Sequence, residues 1–232
     1  MLNNLLDELN ASICSHGGQA LDLPSEFKEN YSPKKKSKIN SWLWDVPGFR
    51  RWRVTRFDAG RKIQVLNSVA YPSLDKKQPI MGIDLLWFEE REKLVAILDF
   101  QPLSQKESYL NIFFEDLKNI HNNYHQFRTR DSIIRYDPNL FFSPWVLFCK
   151  GGKNEFENLL PKIFTPFLES YWKIQDLQGQ DLDEIDSLNV KEMQKEYDSY
   201  SARNDPAHSL FKGFFGPKWS DKFMKEFLFP LS

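Results

Sequence analysis

Several polar residues in this sequence stand in apolar strand-like runs, where a polar group needs a reason to be. Asp84 lies within Ile80-Met81-Gly82-Ile83-Asp84-Leu85-Leu86-Trp87-Phe88. In an extended strand it shares a face with Ile80 and Leu86, and its chain neighbours Ile83 and Leu85 are apolar too. Asp99 directly follows Leu94-Val95-Ala96-Ile97-Leu98. A carboxylate in such a strand is costly unless it is paired or protonated. Burial raises its pKa, so it can hold a proton near neutral pH and serve as an acid. The alternative for both is a satisfied buried aspartate that hydrogen-bonds a loop. Asn67 is a third oddity, sharing its face with Ile63, Val65 and Val69. Asp205 precedes Pro206. That spacing reads as a helix N-cap with proline in the first turn.

Other chemistry is missing from the sequence. His121 and His125 have metal-compatible spacing on a predicted helix, but no third ligand accompanies them. Cys14 and Cys149 are too few for a disulfide framework or a four-cysteine metal site. The sequence holds no G-x-G-x-x-G, no G-x-x-x-x-G-K and no G-x-S-x-G segment.

The elements that must position these residues follow from periodicity. Leu2, Leu5, Leu6, Leu9 and Ile13 predict a helix that His16-Gly17-Gly18 ends. Residues 19–48, with Pro24, Pro33 and Pro47, read as an extended connection. Four strands follow: Phe49–Phe57, Lys62–Ala70, Ile80–Phe88 and Leu94–Gln101. Their connections are too short for crossover helices, so neighbours are antiparallel. A helix near 106–127, a strand over Phe141–Lys150 and a helix through Leu159, Ile163, Phe167 and Tyr171 come next. Pro161 and Pro166 leave the last helix's start or a kink open. Residues 176–187 are acidic and loop-like, Val190–Ala202 is helical, and one or two short helices finish the chain. The expected fold is α/β: one domain over 1–232, a three-layer α/β/α sandwich with a central antiparallel sheet.

Composition narrows the function. With 31 Lys and Arg against 32 Asp and Glu, the chain lacks the excess charge of a general nucleic-acid binder. No apolar run is long enough for a membrane helix, and no secretory signal is visible. With so few cysteines, a reducing, cytoplasmic location is expected. Aromatic residues make up 15% of the chain, enough for a Phe-rich core or a pocket for a flat ligand.

Five segments carry a resemblance when taken together: SWLWDVPGFRRWRVTRFDAG (41–60), QVLNSVAYP (64–72), MGIDLLWF (81–88), LDFQPL (98–103) and DPAHSLF (205–211), followed by FFGPKWSDKFMKEFLFP (214–230). In this order and spacing the chain resembles the ferredoxin-dependent bilin reductases over nearly its whole length. The resemblance implies an open-chain tetrapyrrole held between the sheet and the C-terminal helices. It implies no bound metal or organic cofactor, with electrons arriving singly from reduced ferredoxin and the pigment passing through a radical. Asp84 and Asp205 fall on the family's two aspartates, which donate protons or position pigment. Asn67 stands where the phycocyanobilin-forming members have His, and Thr55 where they have Glu. These departures favour the phycoerythrobilin branch, with Asn67 and Thr55 as substrate contacts.

The activity so implied is two-electron reduction of biliverdin IXα at the 15,16 double bond to 15,16-dihydrobiliverdin. The alternatives are a four-electron phycoerythrobilin synthase and a non-catalytic bilin carrier. The expected partners are biliverdin IXα, ferredoxin and the next bilin reductase, with no nucleic acid or membrane and a monomeric chain. The basic residues around Lys34–Lys38 and Arg50–Arg61 are the expected face for acidic ferredoxin.

Overall fold

A computed structural model describes residues 1–129, 137, 140–175, 177 and 189–232. Its frame is an eight-stranded antiparallel sheet. Helix α1 (Leu2–Ser15) leads through β1 (Gln19–Leu21), the single turn α2 (Ser25–Lys28) and β2 (Glu29–Ser32) into β3 (Ser37–Asp45). Then come β4 (Phe49–Asp58), β5 (Gln64–Pro72), β6 (Ile80–Phe88) and β7 (Lys93–Gln101). Helices α3 (Glu107–Phe113) and α4 (Glu115–Asn123) precede the last strand, β8 (Leu147–Gly151). Helices α5 (Leu160–Gln175), α6 (Val190–Asn204), α7 (Ala207–Phe215) and α8 (Pro217–Lys222) complete the α-helices among the described residues.

The strands lie in the order β1-β3-β4-β5-β6-β7-β8, with β2 also paired to β3. Tight turns make this meander possible. Between β4 and β5, Gly60 takes φ +63° and its N–H donates to Asp58 Oδ1 at 2.7 Å. That left-handed backbone suits glycine.

Each face of the sheet is covered, as a three-layer sandwich requires. On one face α1 and α5 pack over Trp52, Val54, Leu66, Leu85 and Leu98. Leu2, Leu5, Leu6, Leu9 and Ile13 form the apolar stripe of α1, and all are buried. Leu9 is fully inaccessible, so its truncation to Ala would cost about 2–5 kcal/mol. On this side Trp52 stacks on Trp172, which stacks on His16. On the opposite face Phe57, Ile63 and Val65 meet Phe211, Phe223 and Phe227 from the C-terminal helices. A π-helical turn, Phe223–Leu228, leaves carbonyls that two arginines take up. Arg51 Nη2 donates to Phe227 O at 2.7 Å, and Arg53 Nε to Leu228 O at 3.0 Å.

The structure corrects several expectations. The stretch read as an extended connection contains β1, β2 and the nine-residue β3. The helix expected near 106–127 is two helices and a 3₁₀ turn, so His125 lies beyond α4. The strand expected over Phe141–Lys150 begins only at Leu147. Helix α5 follows a π-helical turn at Glu155–Leu159 and carries Pro166 inside it. The acidic stretch 176–187 lies, apart from Leu177, outside the described residues. Among the described residues no helix is long and apolar enough to cross a membrane.

The basic segment divides into two. Lys34, Lys35, Lys36, Lys38, Arg61 and Lys62 are exposed, whereas Arg53 and Arg56 are buried and Arg50 and Arg51 are half-buried. These four arginines belong to the interior network rather than to an open docking face. Alternation along β4 sends Arg56 to Asn3 of α1 on one side and Arg51 and Arg53 to the Phe227 and Leu228 carbonyls on the other.

Candidate active site

Strand register places three of the four sequence-predicted residues. Thr55 pairs with Asn67 across β4 and β5, and Asn67 pairs with Asp84 across β5 and β6. Ser41 on β3 continues the row beyond Thr55. Directly opposed residues share a face, so one polar row crosses four strands beneath the C-terminal helices. Asp205 reaches the row from the opposite layer, at the junction of α6 and α7.

Two cavities meet at this row. One is bordered by Arg53, Asn67, Asp84, Gln101, Tyr197 and Asp205. The other is mostly apolar, with Val65, Leu86, Phe88, Leu210 and Phe211 in its wall. Asn67, Asp84 and Asp205 border both, and Thr55 borders the second. Together they make a slot between sheet and helices, apolar with a few convergent polar groups, as small-molecule sites are.

Asp84 is the electrostatic centre of the slot. Its carboxyl pKa is pushed up to about 7, first by burial and then by the neighbouring charge of Asp205. The hydrogen bond from Asn67 and the charge of Arg53 pull the other way without restoring the ordinary value. Asn67 Nδ2 donates to Asp84 Oδ1 at 3.1 Å, and Arg53 Nη1 donates to Asn67 Oδ1 at 2.6 Å. A relay thus runs from a buried guanidinium through an amide to the carboxyl. Asp84 remains partly accessible where it borders the cavities, so a ligand in the slot can meet it.

Asp205 caps and lines at once. Its Oδ1 accepts from the N–H of Ala207 at 2.8 Å, the local bond that its place before proline led one to expect. Its position beside both cavities is additional. Asp99 has a different role. Oδ2 accepts from Ser143 N at 2.8 Å and Oδ1 from Ser143 Oγ at 2.6 Å. It is a buried, satisfied aspartate that pins a loop, and that loop holds Phe142 at the cavity wall. Thr55 Oγ1 is buried without a hydrogen-bond partner.

Three features of the site had no clear signal in sequence. Arg53 is 1% exposed and lies over the Phe229 ring. Its alternation with Thr55 along β4 was the available signal, because that spacing puts both on one face. Tyr197 and Ser201 come from α6. That helix is clasped to the sheet by Asp198, whose Oδ1 accepts from Tyr71 Oη at 2.7 Å and whose Oδ2 accepts from Leu231 N at 3.1 Å. Arg50 donates to Gln194 of the same helix and lies over the Tyr71 ring. Burial raises the pKa of Asp198, while these hydrogen bonds oppose the rise.

Among the described residues no group of three His, Cys, Asp or Glu could hold a metal ion. Cys14 and Cys149 are free, and burial pushes the Cys149 thiol up to about 12.

The chain is similar to known proteins along its full length. It is 57% identical over 232 residues to a 15,16-dihydrobiliverdin:ferredoxin oxidoreductase of Prochlorococcus marinus (strain NATL1A), covering 100% of this chain and 98% of the relative. It is 49% identical over 232 residues to the protein of the same name from Parasynechococcus marenigrum (strain WH8102), covering 100% of this chain and 99% of that one. The fold matches the crystal structure of phytochromobilin synthase from tomato in complex with biliverdin, with a TM-score of 0.78 and 19% identity, over 99% of this chain and 82% of that chain. Residues 6–230 match the family described as ferredoxin-dependent bilin reductase. With the family's sandwich in place and its sequence pattern running from one end to the other, the chain belongs to the ferredoxin-dependent bilin reductases.

Proposed function

We propose that this chain reduces biliverdin IXα at its 15,16 double bond to 15,16-dihydrobiliverdin, taking both electrons from reduced ferredoxin. The observation that carries the reading is Asp84, a carboxyl with its pKa raised to about 7, at the junction of the two cavities. Full-length relatives named for this reaction support the bond reduced.

The reaction adds two electrons and two protons across one carbon–carbon double bond. A first electron from ferredoxin makes a bilin radical anion. Asp84, protonated below about pH 7, donates a proton to it. A second electron and a second proton, the latter relayed from solvent by Asp205, complete the bond's reduction. The charge of Arg53 helps hold the negative charge that arrives with each electron. Asn67 and Thr55 contact substrate and bring no further acid to the row, which fits a reduction that stops at two electrons.

The reaction needs no bound metal or organic cofactor, since the pigment itself takes the electrons. The chain acts as one bilin reductase domain and as a monomer in the cytoplasm, and its product passes to the next bilin reductase. Exposed Lys34, Lys35, Lys36, Arg61 and Lys62 form the face for acidic ferredoxin. The test is an anaerobic reaction of the purified chain with biliverdin IXα, ferredoxin and a reducing system, with chromatographic separation of products. A single dihydrobiliverdin reduced at 15,16 is expected. Phycoerythrobilin as the sole product would replace this reading with a four-electron one, and pigment bound but unchanged would make the chain a carrier.

A further inference from the structure

Gln101 ends β7 on the face that carries Asp84, and it borders the first cavity. The residue is 8% exposed, and Oε1 is buried without a hydrogen-bond partner. A buried polar atom left unsatisfied is destabilising, so an apolar residue here would serve the fold better. Gly82 leaves the amide its space. A Cβ at position 82 would stand 3.1 Å from Gln101 Nε2 and 3.5 Å from Oε1. The amide therefore leans across β6 at Gly82. That glycine shares a face with Asp84 and lies two residues away, roughly 7 Å along the strand.

The terminal rings of a bilin are lactams. Each presents an N–H and a C=O side by side. A primary carboxamide presents the complementary pair, one acceptor and one set of donors. In the ring next to the reduced bond, the lactam nitrogen is attached to C16 itself. Seating that lactam fixes the 15,16 bond in space.

We propose that Gln101 seats the lactam of the terminal ring adjoining the 15,16 bond, and so selects which double bond of the pigment lies beside Asp84. Gly82 is the position that admits this amide. The proposal rests on the biliverdin reading above and deepens it to a specificity-determining residue.

The test compares wild type with Gln101→Leu, using biliverdin and a biliverdin whose terminal lactams are O-methylated to lactim ethers. Wild type should bind biliverdin at least tenfold more tightly than the lactim ether. Gln101→Leu should lose about tenfold in biliverdin affinity, discriminate little between the two pigments, and give products reduced at more than one bond. Its melting temperature should equal or exceed that of wild type, because an unsatisfied amide has been removed. Gly82→Ala should weaken biliverdin binding in the same direction by displacing the amide. Wild-type affinity in Gln101→Leu with 15,16-dihydrobiliverdin as sole product would overturn the proposal. So would a lowered melting temperature with equal losses for both pigments, the mark of a structural role. Failure of wild type itself to bind biliverdin would instead bring down the reading on which the proposal rests.

Discussion

Asn67 and Asp84 are register partners on β5 and β6, joined by a 3.1 Å hydrogen bond from Asn67 Nδ2 to Asp84 Oδ1. The bond favours the ionised carboxylate and holds the Asp84 pKa below where burial alone would put it. In Asn67→Leu that restraint is gone. The titration of Asp84 should move upward by about one pH unit, the equivalent of one such bond. The pH profile of single-turnover reduction would record the shift, and an unmoved profile would separate Asn67 from the acid.

Asp84→Asn keeps the size of the side chain and loses the transferable proton. Biliverdin should still bind and accept the first electron, and a bilin radical should accumulate. Dihydrobiliverdin formation should slow about 100- to 10,000-fold. Anaerobic absorbance and electron paramagnetic resonance would follow both events. Product at the wild-type rate from a folded variant would remove Asp84 from the reaction.

The same residue gives the protein a pH-dependent stability. The folded pKa of Asp84, about 7, lies above the ordinary 3.8. Between those values the folded state binds the proton and the unfolded state does not. This contribution is therefore full below about pH 4, falls as pH rises toward 7, and is lost above it. Asp84→Asn should gain in melting temperature relative to wild type at pH 8 and gain little at pH 4. Thermal unfolding at the two pH values would check the sign.

For Asp205 the two roles separate by substitution. Asparagine caps helices well, so Asp205→Asn should cost little stability. It should bind pigment, yet stall at a different intermediate from Asp84→Asn. Its negative charge also raises the Asp84 pKa, so the Asp84 titration should move downward in this variant. Full activity with an unshifted profile would leave Asp205 as a cap alone.

Reversing Lys34, Lys35 and Lys36 to Glu should weaken coupling to ferredoxin and leave biliverdin affinity near wild type. Exposed charges at a docking face act mainly on association rate and its salt dependence. Turnover measured across ionic strength would show this, and an unchanged salt slope would move the face elsewhere.

Much of the sheet was legible because β4 to β7 are alternating or continuously apolar runs joined too closely for crossovers. Strand β3 was not, because Ser37 and Ser41 occupy buried positions where alternation leads one to look for apolar residues. Asp84 and Asn67 stood out as polar residues on apolar faces. Asp99 stood out for the same reason and holds a loop, since a strand pattern reports burial and not the partner that satisfies it. Arg53 reads from sequence as part of an exposed basic face, and Gln101 draws no attention, because arginine and glutamine are ordinarily surface residues. Only the packing of Leu228 and Phe229 over Arg53, and of Gln101 against Gly82, reveals that they are internal.

Ser41, Thr55, Asn67 and Asp84 occupy one rung of the sheet, each on its own strand. Backbone pairing holds the rung, so any one of the four side chains can be exchanged while its neighbours keep their places. Such a rung works like a row of sockets. On the function proposed above, moving acid, amide or hydroxyl along it one socket at a time would redirect reduction around the pigment without redesigning the framework.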